Sequence, residues 1–438
     1  MTRRLYTLLL YLLLPYIFFH LLWRSRRQPE YRHHLGERFG FYRGEPPARL
    51  IWLHAVSVGE TRAAVPLVER LLARYPGHKV LLSHMTPTGR ETGQQLFGER
   101  VMQCYLPYDF PFAARRFLRH FKPKVGLLME TEIWFNLVQS SRQAGVPLLL
   151  INARMSEKSA ARYARFGSLC QESLQSLAAV AAQTDADAQR LARLGAPPVP
   201  VAGNIKFDVA VPQESIDMGH SLHARFGAER PVLLAASTRE GEEALIFQAL
   251  SAAGIPDLLT VIVPRHPQRF DSVAEMLVQR GIRFQRRSQN QPVAPETQVV
   301  LGDSMGEMFA YYAACDVAFI GGSLLPLGGQ NLIEAAALGK PVLLGPHTFN
   351  FTQASELAIQ AGAALRVGSA EELIQTAESL LRAPEKIRAM SAAALAFAGR
   401  HRGATERLMT LIEPFMAEEE PNPVIPTMAG SQEFRSLS

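Results

Sequence analysis

The sequence predicts an α/β protein made of two successive doubly wound halves, preceded by an apolar helix. Three observations carry that expectation. Short apolar runs alternate with amphipathic stretches along most of the 438 residues. The alternation lapses near residues 204–215, around Pro212, and then starts again. An uncharged run of 19 residues, Leu5 to Trp23, precedes it all.

That run is close to the roughly 20 residues that cross a bilayer. Arg3 and Arg4 precede it, and Arg24, Arg26 and Arg27 follow. A cleaved leader would be shorter and end in a small-x-small site, which is missing here. The run therefore reads as a membrane anchor, either spanning or lying in one leaflet, with a buried core helix as the competing reading. Basic residues clustered after it favour a cytoplasmic body. Next come candidate strands at 50–56, 79–84, 101–105, 125–129, 147–152, 179–183 and 199–202, with helices such as 62–75 and 186–194 between them. The second half supplies strands at 232–236, 259–263, 298–301, 317–320 and 342–344, and helices at 240–252, 270–280, 305–314 and 331–337. The expected division is 1–30 for the anchor and its basic flank, 31–208 for a first α/β domain, 209–415 for a second, and 416–438 for a polar, Pro-containing tail.

Composition narrows the function classes. With 47 % hydrophobic and 20 % charged residues, each half can build a core. Cys104, Cys170 and Cys315 lie far apart without a C-x-x-C pair, which argues against a disulfide framework or a structural zinc site. A net charge of +6 suits anionic membranes or substrates. Nucleic acid is disfavoured, because no basic stripe interleaves with aromatics.

Six motifs sit at predicted strand ends, where ligands gather in such folds. In W-L-H-A-V-S-V-G-E-T (52–61), Ser57 and Glu60 fit a capping box, and Glu60 also fits a general base. In M-E-T-E-I-W-F (129–135), Glu130 and Glu132 stand beside Trp134, with Glu130 the better candidate for a functional role. G-N-I-K-F-D (203–208) places Lys206 at the expected boundary, able to meet a phosphate or carboxylate, or to be an ordinary hinge lysine. P-R-H-P-Q-R-F (264–270) fixes Arg265 and His266 between two prolines, and Arg265 offers a planar fork suited to phosphate. Met305, Gly306 and Glu307 would rim an anion-binding turn. In G-G-Q-N-L-I-E-A (328–335), a paired-glycine loop opens a helix. Asn331 there is either an N-cap with Glu334 closing a capping box, or a phosphate contact with Glu334 on ribose hydroxyls. Asp185-Ala-Asp187 has the D-x-D form of metal-dependent sugar transferases, but helix capping by Thr184 or Asp185 accounts for it, so no metal site is expected.

The order S-V-G-E, M-E-T-E-I-W, G-N-I-K-F-D, P-R-H-P-x-R-F, M-G-E-M, G-G-Q-N-x-I-E-A resembles the 3-deoxy-D-manno-octulosonic acid (Kdo) transferases over about residues 1–400. The resemblance implies a GT-B fold with two Rossmann-like domains facing across a cleft. It implies an inverting transfer from CMP-Kdo to the lipid A precursor, lipid IVA, in lipopolysaccharide inner-core biosynthesis. The setting it implies is the cytoplasmic side of the inner membrane, with membrane lipids as partners and no cofactor. Glu60 then corresponds to the proton acceptor. Glu130 and Lys206 correspond to groups that steady the transition state. Arg265, His266, Met305, Gly306, Glu307, Asn331, Leu332, Ile333 and Glu334 correspond to the CMP site. Gln330 stands where relatives carry His or Gln. The basic segment with His33, His34, Glu37 and Arg38 would either touch the acceptor or form a solvated linker. The competing readings are a transferase or epimerase acting on a UDP- or ADP-sugar, and a tethered nucleotide-binding module without turnover.

Overall fold

In the computed structural model, residues 1–209, 211–250 and 257–417 are described. Residues 418–438 of the expected tail and the end of the helix expected over 240–252 lie outside the described residues. The chain divides into two compact units, Met1–Val201 with the segment from Glu406 onward, and Ala202–Thr405.

Unit 1 contains β1 (Leu50–His54), β2 (Lys79–His84), β3 (Val101–Tyr105), β4 (Val125–Met129), β5 (Leu148–Ala153) and β6 (Ala179–Ala182). All are parallel, in the order β3-β2-β1-β4-β5-β6. This is the doubly wound order whose direction of winding reverses between β1 and β4, where a ligand crevice forms. Both faces are covered, so the strands are continuous apolar runs rather than alternating ones. Trp52 sits fully buried across β4 because residue 126 is glycine. A Cβ there would fall 2.6 Å from the indole and 2.3 Å from Leu148.

Unit 2 contains β7 (Val232–Thr238), β8 (Leu259–Pro264), β9 (Phe284–Arg286), β10 (Val299–Leu301), β11 (Val317–Ile320), β12 (Val342–Leu344) and β13 (Ala364–Arg366). Its seven parallel strands run β13-β12-β11-β7-β8-β10-β9, and the reversal lies between β7 and β11. Apolar clusters cover both faces of this sheet. The turn at Ile205–Phe207 belongs with this unit. Phe207 packs 5.4 Å from Phe397, and the Asp208 carboxylate accepts the Gly403 N–H at 2.6 Å and the Thr405 N–H at 2.5 Å.

Several elements depart from the sequence reading for local reasons. The strand expected at 199–202 is only a bridge between Val201 and Ala182, because Pro197, Pro198 and Pro200 have no N–H to donate. The helix expected over 62–75 is two helices, Val58–Ala63 and Val65–Arg74, broken where Pro66 lacks its amide hydrogen. The closing helix Ala404–Met416 is mostly part of unit 1, through Arg70–Glu406 and Arg74–Glu413 pairs at 2.5 and 2.9 Å.

The N-terminal helix α1 (Arg3–Arg27) is long and apolar enough to cross a membrane. One stripe of it nonetheless rests on unit 1. The Tyr6 hydroxyl donates to Asp109 at 2.9 Å and that of Thr7 to Asn136 at 3.1 Å, while Leu21 and Ser25 are buried near the other end. The segment after α1 is not a solvated linker. Arg38 is 1 % exposed, its guanidinium 4.2 Å from the Tyr105 ring centroid, and Glu37 pairs with Arg90 at 2.7 Å.

Candidate active site

Where the winding of unit 1 reverses, the chain leaves β1 and β4 into neighbouring turns. After β1, Ser57 caps the helix Val58–Ala63. Glu60, three residues on, folds back so that its carboxylate accepts the Val56 N–H at 2.8 Å and the Ser57 hydroxyl at 3.3 Å. The capping expectation is met, and so is a condition for chemistry. Glu60 is half-buried, and burial, followed by the charge of Glu130, pushes its proton affinity up to about 8 against the pull of the Val56 N–H. After β4, Glu130 takes the left-handed backbone conformation, φ +57°, a strain that a non-glycine residue bears only where its surroundings hold it. The holding contacts are its N–H on the Ile151 carbonyl at 3.1 Å and its carbonyl beneath the Arg154 N–H at 3.4 Å. Glu132 accepts the Trp134 indole N–H at 2.6 Å, and burial raises its proton affinity. Three carboxylates thus share one electrostatic neighbourhood at the carboxyl ends of two adjacent strands. Behind them, desolvation holds the buried imidazoles of His54 and His84 neutral, near 3 and 4.

Where the winding of unit 2 reverses, the charge is opposite. The Arg265 N–H bonds the Thr238 carbonyl at 2.9 Å, which ties the turn after β8 to the one after β7. His266 is held below its usual range by desolvation and by Arg239, Arg265 and Arg269, so a cluster of guanidiniums surrounds a neutral imidazole. Beneath them, Glu243 is fully buried and receives Arg269 at 2.6 Å and the Thr238 hydroxyl at 2.8 Å. Buried Glu242 accepts the N–H groups of Arg239 at 2.8 Å, Gly322 at 2.6 Å and Leu324 at 3.0 Å, locking the glycine loop after β11 to the turn after β7. Only glycine fits at 321, where a Cβ would lie 2.5 Å from the Ser237 carbonyl oxygen. Ser237 itself has φ +55°. Arg239 packs against this loop at Gly322, and arginines so placed are suited to meet an anion.

The remaining predicted residues fall at varying distances in sequence from this loop. Lys206 is half-buried in the turn Ile205–Phe207, its N–H on the Asn204 side chain at 3.0 Å. Met305 is 64 % exposed beside Gly306, whose φ is +81°, and Glu307 pairs with Arg287 at 3.1 Å and accepts the Ser304 hydroxyl at 2.6 Å. The helix expected from Asn331 starts at Ile333 and is one turn long, Ile333–Ala337. The Asn331 side chain accepts the Ile333 N–H and donates to Glu334, both at 3.0 Å. Leu332 and Ile333 are buried in the core, so only their backbone groups can serve a ligand. Asp187 is committed to its helix cap, accepting the Met155 N–H at 2.7 Å and the Thr184 hydroxyl at 2.5 Å. Arg239, Glu242 and Glu243 escape a motif reading because T-R-E-G-E-E looks like a solvated helix start.

The family profile described as 3-deoxy-D-manno-octulosonic-acid transferase (kdotransferase) matches residues 33–209. The chain is 46 % identical over 432 residues to the 3-deoxy-D-manno-octulosonic acid transferase of Bordetella pertussis, covering 95 % of this chain and 100 % of that one. To the enzyme of the same name from Haemophilus influenzae it is 38 % identical, with 95 % and 99 % covered. A solved glycosyltransferase from Rickettsia africae shares the fold, with a TM-score of 0.55 at 13 % identity, over 86 % of this chain and 100 % of that one.

Proposed function

The chain belongs to the 3-deoxy-D-manno-octulosonic acid transferases, and from that premise we propose that it moves Kdo from CMP-Kdo to a hydroxyl of the lipid A precursor lipid IVA, with Glu60 as general base. It is a glycosyltransferase of lipopolysaccharide biosynthesis, in the GT-B class. The donor, the acceptor and the residue roles are the proposal.

The observation that carries it is the raised proton affinity of Glu60 at the end of β1. An ordinary carboxylate is too weak a base to take a hydroxyl proton well, whereas one poised near neutrality is matched to the task. As the acceptor oxygen bonds to the anomeric carbon, the bond from that carbon to the phosphate oxygen breaks. CMP departs with the electron pair, the hydroxyl proton passes to Glu60, and the configuration inverts. Glu130 and Lys206 steady the charge that develops. Arg265, beside the glycine loop after β11, receives the departing phosphate, so that a fixed cation meets charge as it forms. Asn331 and Glu334, already linked to each other, complete the nucleotide side with the Met305–Glu307 turn. The reading requires a donor carried by unit 2 to reach Glu60. The apolar face of α1 keeps the protein on the cytoplasmic surface of the inner membrane, where the acylated acceptor resides.

The test is incubation of the purified protein with CMP-Kdo and lipid IVA, with products counted by mass. The expected result is lipid heavier by one or more Kdo units, with one CMP released for each. Transfer from a UDP-sugar but not from CMP-Kdo would overturn the assignment.

A further inference from the structure

Between the first turns of α1 and the helices Pro111–Phe121 and Phe135–Gln143 lies a cavity of about 380 Å³. Arg3, Arg4 and Arg115 line it together with the carboxamides of Gln139 and Gln143, and no carboxylate does. Among the described residues none of the three arginines has an ion-pair partner. Arg3 and Arg4 also occupy the first turn of a 25-residue helix that carries no acidic residue there. Guanidiniums at the positive end of a helix dipole repel it, so the arrangement gains free energy only from an anion.

The anion's source follows from how α1 lies. Tyr6 near one end is bonded to Asp109, while Leu21 and Ser25 near the other are buried. At 1.5 Å per residue these points are roughly 20–30 Å apart, so both ends of a membrane-length helix stay on one folded unit. A spanning helix would carry one end away from the body. The outer stripe, Leu8, Leu12, Tyr16, Phe19 and Trp23, is between 53 % and 69 % exposed. That pattern suits a helix lying in the plane of a bilayer surface, with its apolar face among acyl chains and its arginines at headgroup depth.

We propose that this cavity binds the phosphate of an anionic phospholipid headgroup, gripped by Arg3, Arg4 and Arg115 while α1 lies in the membrane plane. The inference rests on the membrane seat proposed above, and it adds lipid selectivity to it.

Flotation of the full-length protein with vesicles of phosphatidylcholine alone, or mixed with phosphatidylglycerol, tests it. Wild type should bind both and prefer the mixed vesicles. Combined Arg3→Gln, Arg4→Gln and Arg115→Gln should lose roughly tenfold or more of affinity for the mixed vesicles while keeping the binding to phosphatidylcholine. Arg193→Gln, which removes one exposed charge outside the cavity, should change little, and it is compared with Arg115→Gln alone. Equal losses from those two single variants would show bulk charge and overturn the pocket. Unchanged vesicle binding by the triple variant with a several-fold higher KM for lipid IVA would assign the cavity to the acceptor's phosphate and likewise overturn it. If wild type binds neither vesicle, the pocket and the membrane seat both fall. Transfer measured in detergent micelles would then show separately whether the reaction assignment stands.

Discussion

Both units wind their strands in the same way and open a crevice at the same topological point, yet they fill it with opposite charge. In unit 1 the chain leaves β1 and β4 into Glu60, Glu130 and Glu132. In unit 2 it leaves β7, β8 and β11 into Arg239, Arg265 and a glycine loop. The support differs too. In unit 1 the Val56 N–H and Ser57 hydroxyl hold Glu60, the Trp134 indole holds Glu132, and Glu130 sits on strained backbone. The cationic rim of unit 2 rests on two buried glutamates, Glu242, which takes three N–H groups, and Glu243, whose Oε1 takes Arg269 and the Thr238 hydroxyl. The fold supplies a place, and the few residues after each strand decide which charge that place carries.

The largest effect is expected at Glu60. Glu60→Gln keeps the size of the side chain and an acceptor for the Val56 N–H but removes the base, so kcat should fall about 10²–10⁴-fold with CMP binding retained. Stability should move the other way. Between its ordinary 4.5 and about 8, Glu60 holds a proton in the folded chain that the unfolded chain has released. Wild-type stability therefore drops as pH rises through that window, and Glu60→Gln should be more stable at pH 8 by roughly 1–3 kcal/mol. Lost turnover with a higher Tm separates a base from a helix cap, because a lost cap would lower both. In wild type, kcat/KM should climb as pH approaches about 8 and then level. Glu130→Gln, which removes the nearby like charge, should slide that rise to lower pH. A pH profile that stays in place would detach Glu130 from the base.

On the cationic side, Arg265→Ala should weaken CMP binding roughly 10–100-fold by calorimetry, the worth of a charge-assisted bond to phosphate. Stability should hardly change, since Arg265 is only half-buried. Equal losses of stability and binding would make Arg265 a structural residue and remove the contrast between the two crevices.

How much of this was readable in the sequence follows the same physics. β2, β4, β11 and β12 fall at the residues expected, because interior parallel strands are largely apolar runs between turn residues. β9 and β13 were not expected. Each is three residues at a sheet edge, and Leu365 and Arg366 are exposed, so no periodicity marks them. Glu60, Glu130, Arg265 and His266 stood out because they follow such runs directly. Glu242 did not, because a buried glutamate at a helix start has the same local sequence as a solvated one. Only the partner loop from residue 322, eighty positions away, reveals its task.

That hidden residue gives the smallest and most discriminating test. Glu242→Gln keeps one acceptor oxygen but turns an NH2 toward the N–H of Leu324 or toward those of Arg239 and Gly322, leaving at least one donor buried and unpaired. The cost should be about 1–3 kcal/mol, read as a lower denaturant midpoint with an unchanged slope. Because the same three N–H groups shape the loop proposed to face the phosphate, CMP affinity should fall several-fold as well, even though Glu242 itself is buried beneath the loop. A stability loss with full CMP affinity would mean that the arginines alone hold the nucleotide. The cationic crevice would then need no buried framework, and its difference from unit 1 would reduce to charge alone.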